Sequence, residues 1–387
     1  MSKLFEESSI NGMTLRNRSV RAATWEGLAT TSGEATPKLI EMMASLARGG
    51  VGLIISSHSY VSPEGQGTPW QLGIYKGELI SKLRDLTSAV HKNGGRMVMQ
   101  LSHAGHFAEK QLTGQPALAV SDFKSLPGGP RKEIASYDIQ NLVFAFAQAA
   151  QRAKTAGFDG IEIHSAHGYL LSQFLSPAFN KRQDEYGGPI ENRTRIHLLI
   201  YQAIRNVVGK DYPLLIKMNC ADLIENGITA NDSLQAAKLF SQVGFDAIEL
   251  SGGIIRARKH SPSRQGIHSN DQEAYFKDHA RKIKKEISTP LILVGGLRSF
   301  EVANRLIEEG IADYISMSRP LIREPDLINR WKSGDQRRAA CRSDNLCFQP
   351  GFEGAGIFCV SKEAEENRTL NQPLTQRFSL PRPPRAD

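Results

Sequence analysis

Short apolar runs recur along the chain, each followed by a longer stretch whose apolar positions return every third or fourth residue. The short runs predict strands over 20–24, 51–56, 96–101, 160–164, 214–218, 247–250, 291–294 and 314–317. The amphipathic stretches predict helices over 37–48, 79–93, 139–156, 190–208, 233–243, 276–287 and 300–309. Strands that alternate with helices require right-handed crossovers and a parallel sheet. Eight such units close into an α/β fold, the (β/α)8 TIM barrel. An open doubly wound sheet is the rival. Its first turn would carry a Gly-rich dinucleotide fingerprint, which the turn ATWEGLAT lacks. Upstream, Asn11-Gly12 between short apolar runs predicts an N-terminal β-hairpin that closes the barrel floor. The pattern stops after Arg330. It divides the chain into a barrel (1–335), a cysteine-containing extension (336–362) and a Pro- and Arg-rich tail (363–387) expected to be disordered.

Within the fourth run, Ile161 and Ile163 share one face, while Glu162 and His164 share the other. The isoleucines should meet the outer helices, which puts Glu162 and His164 inside the barrel. A buried carboxylate needs a partner, and Lys217 on the next strand is the expected one. Composition adds little: 40% hydrophobic and 23% charged residues are ordinary for a soluble enzyme. No apolar run approaches the roughly 20 residues needed to cross a bilayer, and the acid-containing opening MSKLFEESSI is no signal peptide. A cytoplasmic protein without a membrane partner is therefore expected. The net charge of +8 comes from Lys and Arg spread along the whole chain, so no nucleic-acid partner is expected either. A homo-oligomer is left open.

In such barrels chemistry gathers at the C-terminal ends of the strands, and phosphate is held after strands seven and eight. Here strand seven ends in Gly295-Gly296 and strand eight in Ser318-Arg319, offering bare amides, a hydroxyl and a guanidinium. Strand six ends in Ser251-Gly252-Gly253, another turn a ligand can approach closely. Gln100, ending strand three, suits a heterocycle with both donors and acceptors, such as the isoalloxazine pyrimidine. Lys217 would stabilise an anionic reduced flavin. After strand four, His164 and His167 can donate hydrogen bonds to one carbonyl oxygen if the chain turns sharply, and Tyr169 can deliver a proton. A zinc site on the two histidines is the rival reading. Arg256, Arg258 and Arg264, in the loop after strand six, hint at an anionic substrate or a nicotinamide phosphate.

The run GFDGIEIHSAHGYLLSQFLSPAFNKRQDEYGGPIENRTR resembles the old yellow enzyme family of FMN ene-reductases. The likeness extends over about residues 3–335, through LRNRSV, MVMQLSHAG and LVGGLRS. It implies FMN contacts from Ala22, Ala23, Thr24, Ser57, Gln100, Lys217, Gly295, Gly296, Ser318 and Arg319. It also implies His164 and His167 as the pair on the substrate oxygen and Tyr169 as proton donor. Trp25 stands where some relatives carry a redox-tuning cysteine. The branch resembled most, that of 2,4-dienoyl-CoA reductase and trimethylamine dehydrogenase, follows the barrel with an iron–sulfur cluster motif and nucleotide-binding domains. Here Cys341, Cys347 and Cys359 remain, but Asp344 stands where a second cysteine is expected. Four thiolates normally hold such a cluster, so its loss is expected, with the segment kept as a packed tail or a remnant, zinc-like metal site; the alternative is a retained cluster with Asp344 as a ligand.

These observations lead to an FMN enzyme that takes electrons from NADH or NADPH and reduces the activated C=C bond of a small enone. The alternatives are an FMN-dependent oxidation of an amine or methylated compound, a non-catalytic flavin-binding module, and a phosphate-binding aldolase or isomerase on the same barrel.

Overall fold

The computed structural model describes residues 2–121, 131–255, 257 and 260–370. The expected tail from 371 onward, together with Arg256 and Arg258, lies outside the described residues. A hairpin of β1 (Ser8–Ile10) and β2 (Met13–Leu15) comes first. Asn11 at φ 43° and Gly12 at φ 76° give its turn the two left-handed residues that match the twist of paired strands. Eight parallel strands then close the predicted barrel. They are β3 (Ser19–Arg21), β4 (Leu53–Tyr60), β5 (Arg96–Ser102), β8 (Gly160–Ser165), β9 (Leu214–Asn219), β10 (Ala247–Ser251), β11 (Leu291–Val294) and β12 (Tyr314–Met317). A minor pair, β6 (Ala117–Ala119) and β7 (Arg131–Glu133), stands outside the ring.

The alternation read from the sequence sorts the core into two layers. Val20, Leu53, Ile55, Val98, Leu215, Ala247, Ile292 and Tyr314 face inward and pack on Ile10, Met13 and Leu15, so the hairpin plugs the barrel. Ile161, Ile163, Ile216 and Ile248 point outward, into a shell with residues of the helices Pro37–Arg48, Ile80–Lys92, Ser136–Thr155 and Ile190–Val208. The helix Pro37–Arg48 starts where it was predicted, because Thr36 caps it through Leu39 N–H and Pro37 occupies its first turn.

Several element boundaries differ from expectation, among them the following two. β4 runs on to Tyr60 with an irregularity between Ile55 and His58. The helix Val360–Leu370 crosses position 363, where the tail was expected to begin. The extension folds back over the barrel mouth through Ala339 N–H to Arg298 O (2.8 Å), Gly266 N–H to Ser343 O (3.1 Å) and Ile357 N–H to Glu26 O (2.8 Å). Among the described residues, no helix is long and apolar enough to cross a membrane.

Candidate active site

A cavity of about 370 Å³ opens at the C-terminal ends of the strands. Its described lining includes three cations, Lys217, Arg298 and Arg319, and no carboxylate. Such a lining suits an anionic, phosphorylated ligand. Of the residues expected to bind the cofactor, Ala22, Ala23, Thr24, Gln100, Lys217, Ser251, Gly296, Ser318 and Arg319 line it. Ser57, Gly252 and Gly295 do not. A side chain at Gly252 would meet Phe276 at 2.7 Å and Cys220 at 2.9 Å, and one at Gly295 would meet Phe276 and Tyr275. Those two glycines therefore make room for packing beneath the wall, and the Gly295 φ of 143° sets up the turn. Gly296 and Ser318 both line the cavity, at the ends of strands seven and eight. There Thr24 donates from its hydroxyl to the Ser318 hydroxyl (2.7 Å) and Arg319 donates to Asn345 Oδ1 (2.8 Å). Arg264 stacks over Tyr275, its guanidinium 4.2 Å from the ring centre.

Buried ionisable side chains lie at the floor. Gln100 donates from Nε2 to Glu162 Oε2 at 2.6 Å. Lys217 pairs with Glu249 (2.9 Å) and not with Glu162, which corrects the expected pairing. Strand register is the reason: Lys217 lies opposite Glu249, whereas Glu162 lies opposite Gln100 and Leu215. Ser316 donates to the other Glu249 oxygen at 2.7 Å. Burial first, and the Glu249 charge second, hold the Glu162 carboxyl well above its ordinary range, while the Lys217 charge and the Gln100 hydrogen bond pull it down. The alternation Ile248, Glu249, Leu250 was the signal by which Glu249 could have been found.

The sharp turn required after strand four is present. His167 adopts a left-handed φ of 64°, with Gly168 following at 85°. The strained His167 backbone is held by its N–H donating to Asn219 Oδ1 at 3.1 Å. The turn brings the His164 and His167 rings to 5.3 Å and His164 and Tyr169 to 4.6 Å, centre to centre. His167 Nε2 shares a hydrogen bond with the Ser251 hydroxyl at 2.8 Å, while His164 Nδ1 is buried without a protein partner. Burial pushes both imidazoles well below their ordinary range, and the charges of neighbouring groups push the same way. Both are thus neutral and each can donate one N–H. Burial likewise raises the Tyr169 phenol, keeping it protonated. His58 also lines this corner, 2.7 Å from the Tyr169 hydroxyl through Nε2. The sequence reading missed it, along with Arg298.

The extension supplies Ser343, Asn345, Phe348 and Phe352 to the cavity wall, and Phe352 packs on Trp25 with ring centres 4.7 Å apart. Its cysteines do not fit a cluster held by four thiolates. Cys341, Cys347 and Cys359 are unbonded thiols, and burial pushes Cys347 up to about 12. Asp344 is taken up by Leu346 N–H and the Ser361 hydroxyl, both at 3.1 Å. Arg323 donates to Cys359 Sγ at 3.5 Å. Among the described residues, no three His, Cys, Asp or Glu side chains converge as metal ligands, so the zinc reading of His164 and His167 lacks a third donor.

A family model described as "NADH:flavin oxidoreductase / NADH oxidase family" matches residues 3–338. The NADH oxidase of Thermoanaerobacter brockii is 36% identical over 361 residues, covering 92% of this chain and 54% of that protein. The chain thus spans about half the length of that relative and of the metal reductase of Desulforamulus reducens. The NADPH dehydrogenase of Bacillus subtilis (strain 168) is 35% identical over 328 residues, 84% of this chain and 92% of its own. Among solved structures, the old yellow enzyme homologue from Zymomonas mobilis superposes with a TM-score of 0.76 at 26% identity, covering 93% of this chain and 98% of its own. A 2-naphthoyl-CoA reductase gives 0.85 at 26% identity, covering 92% of this chain and 56% of that one. With that match along the barrel and its cavity at the strand ends, the chain belongs to the NADH:flavin oxidoreductase / NADH oxidase family and has a barrel of the old yellow enzyme type.

Proposed function

We propose that the protein binds FMN in the barrel mouth and uses NADH or NADPH to reduce the activated C=C bond of a small α,β-unsaturated carbonyl compound. The observation that carries this reading is the convergence of two neutral imidazoles and a protonated phenol on one buried corner of a cation-lined cavity. Gln100 and Lys217 would hold the polar edge of the flavin ring, and Gly296, Ser318, Arg319 and Arg298 its phosphate. When bound, FMN supplies the hydride acceptor and donor that the side chains lack. His164 and His167 donate to the carbonyl oxygen of the substrate, stabilising negative charge as it develops there. Tyr169 gives its proton to the α-carbon. Trp25, Phe348 and Phe352 wall the cavity and favour an apolar, flat substrate. A cationic amine would find no carboxylate among the described lining residues, which favours alkene reduction over amine oxidation.

The test separates the two half-reactions by stopped flow. Purified protein supplied with FMN should turn yellow, bleach with NADPH or NADH without oxygen, and recover its colour with 2-cyclohexen-1-one. Tyr169→Phe should slow the recovery about a hundredfold or more, the usual weight of a positioned proton donor, and slow bleaching far less. Failure to retain FMN, or equal slowing of both steps, refutes the reading.

A further inference from the structure

We propose that His58 is the positioning partner of Tyr169, holding the phenol oxygen so that its hydrogen faces the substrate. This rests on the reading of Tyr169 as the proton donor.

Strand geometry comes first. Ile55 faces the barrel interior and Ile54 the outer shell. In a regular strand, His58 would share the outward face of Ile54. Between Ile55 and His58, however, β4 advances three residues while its partner β5 advances two, from Val98 to Gln100. The extra residue reverses the alternation and turns His58 into the cavity mouth, the effect that bulges have beside active sites. The backbone there is pinned by Gln71, which donates from Nε2 to His58 O at 2.7 Å.

The imidazole then meets Tyr169 edge-on, with ring centres 5.1 Å apart and Nε2 at 2.7 Å from the hydroxyl. Its other nitrogen, Nδ1, is buried without a protein partner. A buried N–H left unpaired is rarer and costlier than an unused acceptor, so the hydrogen belongs on Nε2. Burial holds the ring down to about 4, which keeps it neutral with that single hydrogen. Nε2–H therefore donates to the phenol oxygen. The hydrogen of Tyr169 is left free for the cavity.

In the proton step, the Tyr169 O–H bond breaks and a C–H bond forms at the α-carbon, with the electron pair remaining on the phenolate oxygen. The Nε2–H bond stabilises that charge. The phenolate then recovers its proton from solvent through the cavity mouth, and His58 keeps its Nε2 hydrogen throughout.

The experiment compares His58→Phe and His58→Gln with wild-type holoenzyme. His58→Phe should slow reoxidation by 2-cyclohexen-1-one about tenfold to a hundredfold more than it slows reduction by NADPH, the weight of one hydrogen bond to a developing charge. His58→Gln keeps a donor within reach and should recover most of that loss. The ¹⁹F resonance of 3-fluorotyrosine placed at position 169 reads the hydrogen bond without turnover. It should move in His58→Phe and return toward wild type in His58→Gln. The assignment is overturned if the resonance stays put, or if both variants reoxidise at the wild-type rate or slow both half-reactions equally. Should His58→Phe fail to fold, the kinetics and resonance of His58→Gln against a His58→Leu variant decide by the same criteria. Tyr169→Phe separates the two levels: if it leaves reoxidation unchanged, the proton-donor reading fails and this assignment with it. If it slows reoxidation and His58→Phe does not, only the assignment falls.

Discussion

Replacing Lys217 with Met takes the cation away from Glu249, a fully buried carboxylate whose other oxygen accepts from Ser316. Two fates are open to the variant. If Glu249 stays ionised, the loss is that of a broken buried pair, about 3–5 kcal/mol. If it takes up a proton instead, the cost at pH 7 is set by the distance from an ordinary glutamate value near 4.3, about 3.7 kcal/mol at 1.36 kcal/mol per pH unit. The two routes agree, so the variant should lose about 3–4 kcal/mol at pH 7. The protonation route also sets the sign with pH. A carboxyl whose folded-state value is raised stabilises below its unfolded value and loses that contribution as pH climbs. The deficit of the variant should therefore shrink to about 1 kcal/mol at pH 5. Urea unfolding of flavin-free wild type and Lys217→Met at both pH values measures this, since titrations common to the two proteins cancel in the difference. Adding Glu249→Gln should restore most of the pH 7 loss by removing the stranded charge. A deficit below about 1 kcal/mol at pH 7, or one equal at the two pH values, would refute the reasoning.

Arg319→Ala should weaken FMN binding about tenfold or more by removing a charge-assisted contact at the phosphate end, and equilibrium dialysis of the flavin-free protein will read it. An unchanged dissociation constant would place the phosphate elsewhere. Because burial keeps His164 and His167 neutral, the reoxidation rate should stay level between about pH 6 and 8, and a loss centred near 6.5 in stopped flow would contradict their assigned state. The same depressed values make the fold lose stability as pH falls through the unfolded histidine range, where the unfolded imidazoles take up protons that the folded ones refuse.

The alternation of Ile161 and Ile163 with Glu162 and His164 follows from the two-residue period of a strand, and it sorts inside from outside. The turn at His167-Gly168 and the placement of Gly296, Ser318 and Arg319 at the cavity were legible for the same kind of reason. Each depends on residue types a few positions apart. Register across strands is not local. Lys217 faces Glu249 rather than Glu162 because the stagger of the closed ring decides who stands opposite whom. The bulge in β4 is of that kind too: one extra residue against β5 reverses the alternation, and the sequence SSHSY carries no mark of it. The extension shows the limit from the other side. Its cysteines drew attention as a metal motif, whereas in the fold Phe348, Phe352 and Asn345 line the cavity. Local spacing thus determined the barrel, its inward faces and the histidine–tyrosine corner. Tertiary structure alone decided the charge pairs, the entry of His58 and the closing of the mouth, because each joins segments tens to hundreds of residues apart, brought together only by the closed ring.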